Sequence, residues 1–381
     1  MKTSKVRFNE ERALQVFSIL APLWERREGI FKGERLPEEI WDVDGTRQEK
    51  ALYYFYSAHT MRGGIVSEDP FKWLLALRER YPSAFQPHRV RSIWNPNRLR
   101  VAIQAVTTEI RGTQRRTETQ GVGPLGYKLE ELSEHWCHNS KVLSEHWDGN
   151  ILNIFEGVSD FEEAFARIDW KHLNGTGIKG MRRKIFSLFT IWLQEQNVVP
   201  KFPTPIPVDF HALRALWTLG VIDIETKPLP ENPRYPKMLY GFPFARVSEE
   251  IMDTVAIWSQ GFLVKNHISH MHVNPALWTL SRRLCAEHHQ NISRDAGKTF
   301  VLPEELKKNP GLWPKNYRDP CGICPVESWC TKVAPAAIYY DVGILLPMER
   351  VPYHQELFPG IDWQHHIKPR TRKGRANGNQ T

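Results

Sequence analysis

Three of the five cysteines in the chain lie within a short segment, residues 321–330, as Cys321, Cys324 and Cys330. Their C-x2-C-x5-C spacing can place three thiolates around one metal centre, and four thiolates suit either a tetrahedral zinc ion or an iron–sulfur cluster. Cys285, which follows an apolar pattern of helical spacing, is the candidate for the fourth ligand. The segment therefore predicts a metal site, and so few cysteines in a chain of this length favour a reducing compartment.

The cysteine spacing alone does not identify the metal. His288 and His289 lie close to Cys285 in the sequence and keep a mixed zinc site open. Cys137 is far from the cluster in the sequence and is predicted to be a free thiol. Zinc and iron–sulfur therefore remain alternatives on this evidence.

A second feature is the glycine turn, residues 173–180, which lies between two stretches of helical pattern. Gly175 and Gly177 let the backbone turn sharply, and the amides at the start of the following helix are left free to bind an anion such as a phosphate. Arg182 and Arg183 add positive charge just downstream. The alternative interpretation is an ordinary turn between two helices.

A third feature is Asp209, which follows a proline-rich segment, residues 201–207, and precedes a helical pattern. An aspartate in this place can serve as an N-cap that accepts backbone hydrogen bonds. Alternatively, its carboxylate can stabilise positive charge on a sugar, or activate a water for attack at an anomeric carbon. The sequence predicts a structural role, a catalytic role, or both.

Helices must position these residues, because apolar side chains recur at helical spacing along much of the chain. Such patterns cover residues 14–24, 99–110, 161–168, 185–192 and 247–258. The three prolines of residues 201–207 exclude a helix there and predict an extended strut. No convincing alternation of apolar and polar residues predicts a strand. The predicted fold class is therefore mainly α.

Composition restricts the class of protein further. The chain has 381 residues, of which 41% are hydrophobic and 25% charged, as is typical of a globular protein. Its formal net charge of +8 favours an anionic partner, most simply nucleic acid. No apolar run is long enough to span a bilayer and the first twelve residues are polar, so an intracellular protein without a membrane partner is expected. We further expect a cytoplasmic, nucleoid-associated protein that is a monomer.

Taken in this order, the glycine turn, the Asp209 segment and the clustered cysteines resemble the helix-hairpin-helix (HhH-GPD) DNA glycosylase superfamily, in particular its endonuclease III type. The family turn Leu-Pro-Gly-x-Gly-x-Lys is matched by Leu173, Gly175, Gly177 and Lys179, with Asn174 in place of the proline. The family segment Val-Asp-x-His is matched by Val208, Asp209 and His211, and Cys-Gly-x-Cys-x5-Cys by Cys321, Gly322, Cys324 and Cys330. The resemblance covers residues 160–330.

This resemblance implies a two-lobed helical fold with a 4Fe–4S cluster domain, and zinc remains the alternative metal. It implies an enzyme that rotates a damaged or modified base out of double-stranded DNA and cleaves its N-glycosidic bond. Asp209 would promote that cleavage, and Lys179 occupies the position of the Schiff-base lysine in members that also cut the strand. The implied DNA-binding residues are Gly175, Gly177, Lys179, Arg182 and Arg183, and the implied cluster ligands are Cys285, Cys321, Cys324 and Cys330.

The same resemblance predicts the division of the chain. Residues 1–97 and 216–335 are expected to form the cluster lobe, residues 98–215 a helical barrel with the glycine turn, and residues 336–381 an extension with a disordered basic tail. The biological role would be base excision repair or defence against phage DNA with hypermodified bases. The alternatives are a zinc-containing DNA-binding protein without catalysis, or an enzyme that acts on RNA.

Overall fold

The computed structural model describes residues 5–61, 68–113, 129–171, 173, 176–225, 227–228, 231, 243–281, 324–330, 337–340 and 345–347. The protein is mainly helical, as predicted. The helices are α1 (Glu10–Glu25), α2 (Pro37–Ile40), α3 (Arg47–Thr60), α4 (Glu68–Arg80), α5 (Pro87–Ile93), α6 (Pro96–Thr113), α7 (Leu129–His146), α8 (Phe161–Ala166), α9 (Arg183–Glu195), α10 (Phe210–Thr218), α11 (Glu249–Lys265) and α12 (His270–Thr279). The strands are β1 (Val6–Phe8), β2 (Ile222–Ile224), β3 (Lys227–Pro228), β4 (Pro243–Val247), β5 (Ala337–Tyr340) and β6 (Leu345–Pro347).

The chain folds into two compact units. The glycine-turn unit comprises the described parts of residues 33–207 and 256–271, and the terminal unit comprises the described parts of residues 1–32, 208–255 and 272–381. Residues 33–97 therefore belong to the glycine-turn unit, whereas the sequence predicted them in the cluster lobe. The physical reason is that helix α3 forms the centre of that unit's core.

Helix α3 is the central element of the glycine-turn unit. It begins at a capping box, in which the Thr46 hydroxyl accepts from the Glu49 amide at 3.2 Å and the Glu49 carboxylate accepts from the Thr46 amide at 2.8 Å. Every side chain from Ala51 to Thr60 is buried. A helix that is buried on all sides must have partners all around it, and here they come from α4, α7 and α9.

Aromatic contacts join α3 to α7. The rings of Tyr56 and Trp136 stack with their centroids 4.1 Å apart and their planes within 8°. The Tyr56 hydroxyl lies 2.7 Å from the Ser140 hydroxyl, which itself donates to the Trp136 carbonyl. Burial raises the pKa of Tyr56, so its phenol stays neutral. These contacts fix α7 against α3, which matters because both helices also contribute side chains to the candidate site.

The proline-rich strut is held by one buried amide. The Gln194 side chain, fully buried on α9, donates to the Phe202 carbonyl at 2.9 Å and accepts from His270 Nε2 at the same distance. The Gln260 side chain donates to the Pro203 carbonyl, also at 2.9 Å. Because prolines cannot supply backbone donors, side chains satisfy the strut's carbonyls and keep it extended.

The terminal unit combines segments from distant parts of the chain. Strand β1 pairs with β2 in antiparallel register, with Val6 opposite Ile224. Strands β3 to β6 form a sheet in which β4 and β5 run parallel, with Phe244 opposite Ala337. The sequence showed no convincing alternation that predicts a strand, because strands of two to five residues are too short to show it. In the part of the chain that the structure describes, no helix combines the length and apolarity needed to cross a membrane.

The aromatic core of the glycine-turn unit gives a test of the fold. Phe186 is fully buried, and its ring contacts those of Phe155, Phe161 and Phe189. We expect Phe186→Ala to lower the free energy of unfolding by about 3–5 kcal/mol in urea titrations, because the cavity cannot close among rigid rings. The control Val101→Ala, at a position 62% exposed, should stay within about 0.5 kcal/mol of the native protein. Equal urea midpoints of unfolding for Phe186→Ala and Val101→Ala would contradict the packing of Phe186 in this core.

Candidate nucleic-acid interface and active site

The glycine turn follows α8 and is closed by backbone hydrogen bonds. The Ile178 amide donates to the Ile168 carbonyl at 2.9 Å, and Asp169 and Ile178 form an isolated parallel bridge. The Thr176 amide and hydroxyl both donate to the Leu173 carbonyl, at 2.9 and 2.8 Å. Asn174 and Gly175 lie outside the described residues. Hydrogen bonds therefore hold the backbone of the turn at Leu173, before those two residues, and at Thr176 and Ile178, after them.

Gly177 is required by a close approach of two backbone segments. A Cβ atom at this position would lie 2.6 Å from the Ile168 carbonyl oxygen and 2.7 Å from backbone atoms of Trp170. Backbone atoms cannot move aside cheaply, so no other residue fits. Gly180 has a φ of +76°, a left-handed conformation that glycine adopts without strain. Together these glycines turn the chain toward the first turn of α9.

The side chain of Asn139 binds both backbone groups of Lys179. Its Oδ1 accepts from the Lys179 amide at 2.8 Å, and its Nδ2 donates to the Lys179 carbonyl at 2.9 Å. Nδ2 also lies 2.6 Å from Nε2 of His59, whose Nδ1 lies 2.7 Å from the Phe55 carbonyl. Asn139 is fully buried and His59 is 2% exposed. Helices α3 and α7 thus fix the backbone of the predicted catalytic lysine.

The Lys179 side chain lies against Trp170. Its Nζ is 4.7 Å from the centre of the indole ring, a position that stabilises the charged ammonium. The ring of His138 meets the same indole edge to face, with centroids 5.0 Å apart, and its Nε2 lies 3.4 Å from the Gly177 carbonyl. Burial and the charge of Lys179 lower the pKa of His138. The lowered pKa favours the neutral imidazole of His138 beside Lys179.

The start of α9 presents backbone amides next to this cluster. Arg182 occupies the N-cap position with its side chain exposed, and among the described residues no side chain caps the first turn. Uncapped amides at a helix start form an anion site, since the helix dipole also favours negative charge there. The Arg183 guanidinium pairs with both Glu162 oxygens, and its side chain is only 12% exposed. Arg183 therefore serves α8–α9 packing in this structure.

Asp209 is the N-cap of α10, as one of the two interpretations predicted. Its Oδ1 accepts from the amides of His211 and Ala212 at 2.8 and 2.9 Å. Within the described chain, its Oδ2 makes no hydrogen bond, and the side chain is half-buried. Val208, immediately before it, is buried. The carboxylate is thus fixed through one oxygen while the second remains available.

His211 lies in the first turn of α10 and contacts residues near the end of α12. Its Nδ1 is 3.4 Å from the Ser281 hydroxyl, and its ring centroid is 6.3 Å from that of Trp278. Leu213 and Leu216 on the same helix are fully buried. These contacts anchor the helix that Asp209 caps, so the carboxylate has a defined orientation in the terminal unit.

The two described cysteines of the predicted cluster flank a short 3₁₀ turn, Glu327–Trp329. The Glu327 amide donates to the Cys324 carbonyl and the Cys330 amide to the Glu327 carbonyl, each at 3.1 Å. The guanidinium of Arg12, on α1, donates to the Trp329 carbonyl at 3.0 Å and lies over its indole. The terminal unit thus fixes this segment of the cysteine motif.

The remaining predicted ligands, Cys285 and Cys321, lie outside the described residues. Over the part that is described, no three His, Cys, Asp or Glu side chains form a metal-binding group. Two thiols on either side of one turn fit the donor set of zinc or of an iron–sulfur cluster. Burial raises the pKa of Cys137 to about 11, so this thiol stays protonated, as befits a residue outside the ligand set.

The structure brings together the sequence-predicted residues Gly177, Lys179, Arg182 and Arg183 in the glycine-turn unit, whereas Asp209 belongs to the terminal unit. Sequence reasoning missed His59, His138, Asn139 and Trp170. One signal was present: Asn139 shares a helical stripe with Leu132, Trp136 and Leu143, all buried. A polar side chain on such a stripe must find a buried partner.

No protein-family model matches the chain, and no curated protein matches it significantly.

The close approach at Gly177 gives a specific prediction. We expect Gly177→Ala to lower the free energy of unfolding by about 1–3 kcal/mol, because the added methyl group has no room. Gly261→Ala is the matched control, since it makes the same change within α11 of the same unit and a Cβ there meets nothing within 4 Å. The control should be neutral or stabilise by up to about 1 kcal/mol. Urea titration of both variants tests this, and similar losses would contradict the geometry.

The titration of His138 tests its proximity to Lys179. Removing the charge with Lys179→Met should raise the pKa of His138 toward its ordinary value of 6.5, as measured by NMR of the ring protons. Because the pKa of His138 is lowered in the folded protein, a falling pH protonates this imidazole in the unfolded chain before it does so in the folded one. The contribution of neutral His138 to the free energy of unfolding is therefore present above pH 6.5 and is lost as the pH falls through the folded-state pKa. An unchanged titration in Lys179→Met would place Lys179 too far away to interact.

Proposed function

We propose that this protein is a DNA glycosylase that cleaves the N-glycosidic bond of a damaged or modified nucleotide rotated out of double-stranded DNA. Asp209 stabilises the positive charge that develops on the sugar and orients the attacking nucleophile. The glycine turn and the start of α9 bind the phosphate backbone. After it loses a proton, the Lys179 amine can attack the anomeric carbon and displace the base; ring opening then gives a Schiff base, and β-elimination from it breaks the bond between the sugar and its 3′ phosphate.

The proposal rests on the Asp209 carboxylate, in which Oδ1 accepts two hydrogen bonds and Oδ2 accepts none within the described chain. A purely structural N-cap needs one acceptor, and Oδ1 supplies it to two amides. These two hydrogen bonds hold the carboxyl group in place without occupying Oδ2. A fixed, half-buried oxygen that needs no reorganisation is what stabilisation of an oxocarbenium-like sugar requires.

The glycine turn supports a nucleic-acid substrate. Gly177 allows the backbone to pass close to Trp170, and Gly180 directs it into α9. The uncapped first turn of α9, together with Arg182 and Lys179, then offers amides and positive charge to a phosphate. Arg183 is not assigned to this role because Glu162 already binds it. A free nucleoside would leave these groups without a ligand.

The cysteine segment supports a structural cluster in the same protein. Cys324 and Cys330 would hold it together with Cys285 and Cys321, and a 4Fe–4S cluster or a zinc ion would crosslink the segment. Arg12 already connects this segment to α1 through the Trp329 carbonyl. The cluster would therefore add rigidity to the terminal unit, and no step of the glycosidic cleavage depends on it.

Base release tests the enzymatic proposal. We expect Asp209→Asn to lower single-turnover release from duplexes containing altered bases by about 10²–10⁴-fold, because the amide keeps the N-cap but loses the charge. The panel should include hypermodified cytosines, oxidised bases and deaminated bases, each measured in duplex DNA and in RNA. Asp223→Asn, the same change at an exposed residue of the terminal unit, should retain native rates.

Two results would contradict this assignment. Equal release by native protein and Asp209→Asn would remove the catalytic role of the carboxylate. Duplex binding without release from any base would favour the alternative, a non-catalytic DNA-binding protein. Release from RNA alone would keep the chemistry and change the substrate class.

Metal analysis tests the cluster separately. We expect purified protein to be brown and to contain iron and sulfide, with Cys324→Ser and Cys330→Ser each lowering the iron content. Cys137→Ser is the matched control, because its thiol is assigned no metal, and it should retain the native iron content. A colourless protein containing one zinc ion would replace the iron–sulfur assignment by a zinc site.

A further inference from the structure

The hydrogen bonds behind Lys179 form a chain of four groups within the glycine-turn unit. It begins at the Phe55 carbonyl, continues through the ring of His59 and the amide of Asn139, and ends at the backbone of Lys179. Almost no water reaches this chain, since Asn139 is fully buried and His59 is 2% exposed. In such surroundings an unmade hydrogen bond is costly, so the arrangement has few alternatives.

We propose that His59 and Asn139 are positioning residues that hold Lys179 in place for reaction with DNA. This inference rests on the proposed function where it concerns catalysis, but the positioning itself can be measured without it. Neither residue touches the substrate in this account. Both act through the backbone of Lys179, whose amine is five bonds further along the side chain.

The direction of each hydrogen bond determines the next one. The Phe55 carbonyl can only accept, so His59 must carry its proton on Nδ1. Neutral His59 then has an unprotonated Nε2, which can only accept from Asn139 Nδ2. This orients the Asn139 amide so that Oδ1 faces the Lys179 amide and Nδ2 its carbonyl. A reversed amide would set two donors against each other at the Lys179 N–H.

Two substitutions of His59 separate this role from simple packing. His59→Phe keeps a ring in the aromatic contact with Phe55 but offers Asn139 no acceptor, so it leaves one buried N–H unsatisfied. His59→Gln restores an acceptor and a donor in the same side chain. Tyr56→Phe is the matched control, because it also removes one buried hydrogen bond between α3 and α7, the one to Ser140, without contacting Lys179.

The first measurements are made by NMR on the full-length protein. We expect long-range ¹H–¹⁵N spectra to show His59 protonated on Nδ1 alone. Amide exchange of Lys179 should be roughly tenfold faster in His59→Phe than in Tyr56→Phe, because Asn139 Nδ2 loses the acceptor that holds the amide against the Lys179 backbone. His59→Gln should restore at least part of that protection. Equal exchange in His59→Phe and Tyr56→Phe, or a proton on Nε2 of native His59, would overturn the proposal.

The second measurement is borohydride trapping on a duplex that carries an abasic site, which needs no knowledge of the excised base. We expect native protein to form a covalent adduct that Lys179→Ala abolishes, and His59→Phe to form it roughly tenfold more slowly than Tyr56→Phe. Equal trapping rates for these two variants would overturn the catalytic part of the inference. No adduct from native protein would reject the Schiff-base role of Lys179, and amide exchange would still decide whether His59 positions it.

Discussion

The glycine turn depends on the amide of one buried asparagine. Asn139 satisfies both backbone groups of Lys179, and it is oriented by a histidine on a different helix. A turn with three glycines would otherwise have many accessible conformations, since glycine restricts the backbone little. The amide therefore converts a loop of low intrinsic order into a defined surface from which Lys179, Trp170 and the first turn of α9 project.

A second constraint acts on Asp209, and it is of a different kind. Here the carboxylate itself satisfies the helix, because α10 needs an acceptor at its N-terminus. The proline-rich strut before it is held by the buried Gln194 and cannot become helical, so the position where α10 begins is fixed. In the catalytic role proposed for it, Asp209 would keep its geometry before substrate binds, which lowers the cost of organising the site.

The sequence predicted those helices and caps that a local pattern of residues reveals. The helices near residues 14–24, 99–110, 161–168 and 185–192 were recognised because each has an apolar and a polar face, and the N-cap of α10 because an aspartate precedes it. Helix α3 lacks such contrast, since it is buried all round from Ala51 to Thr60. The partnership of His59, Asn139 and Lys179 spans distant positions along the chain, and no local rule connects them. The strands were missed because they are too short.

The most direct measurement of the central claim is the affinity for an abasic duplex in which a cationic pyrrolidine replaces the reacting sugar. The charge of this ring imitates the sugar in the transition state, so binding requires neither a known base nor turnover. Native protein should bind it at least about 100-fold more tightly than the neutral tetrahydrofuran duplex, and Asp209→Asn should lose that preference. Equal affinities of native protein for the two duplexes would contradict the account.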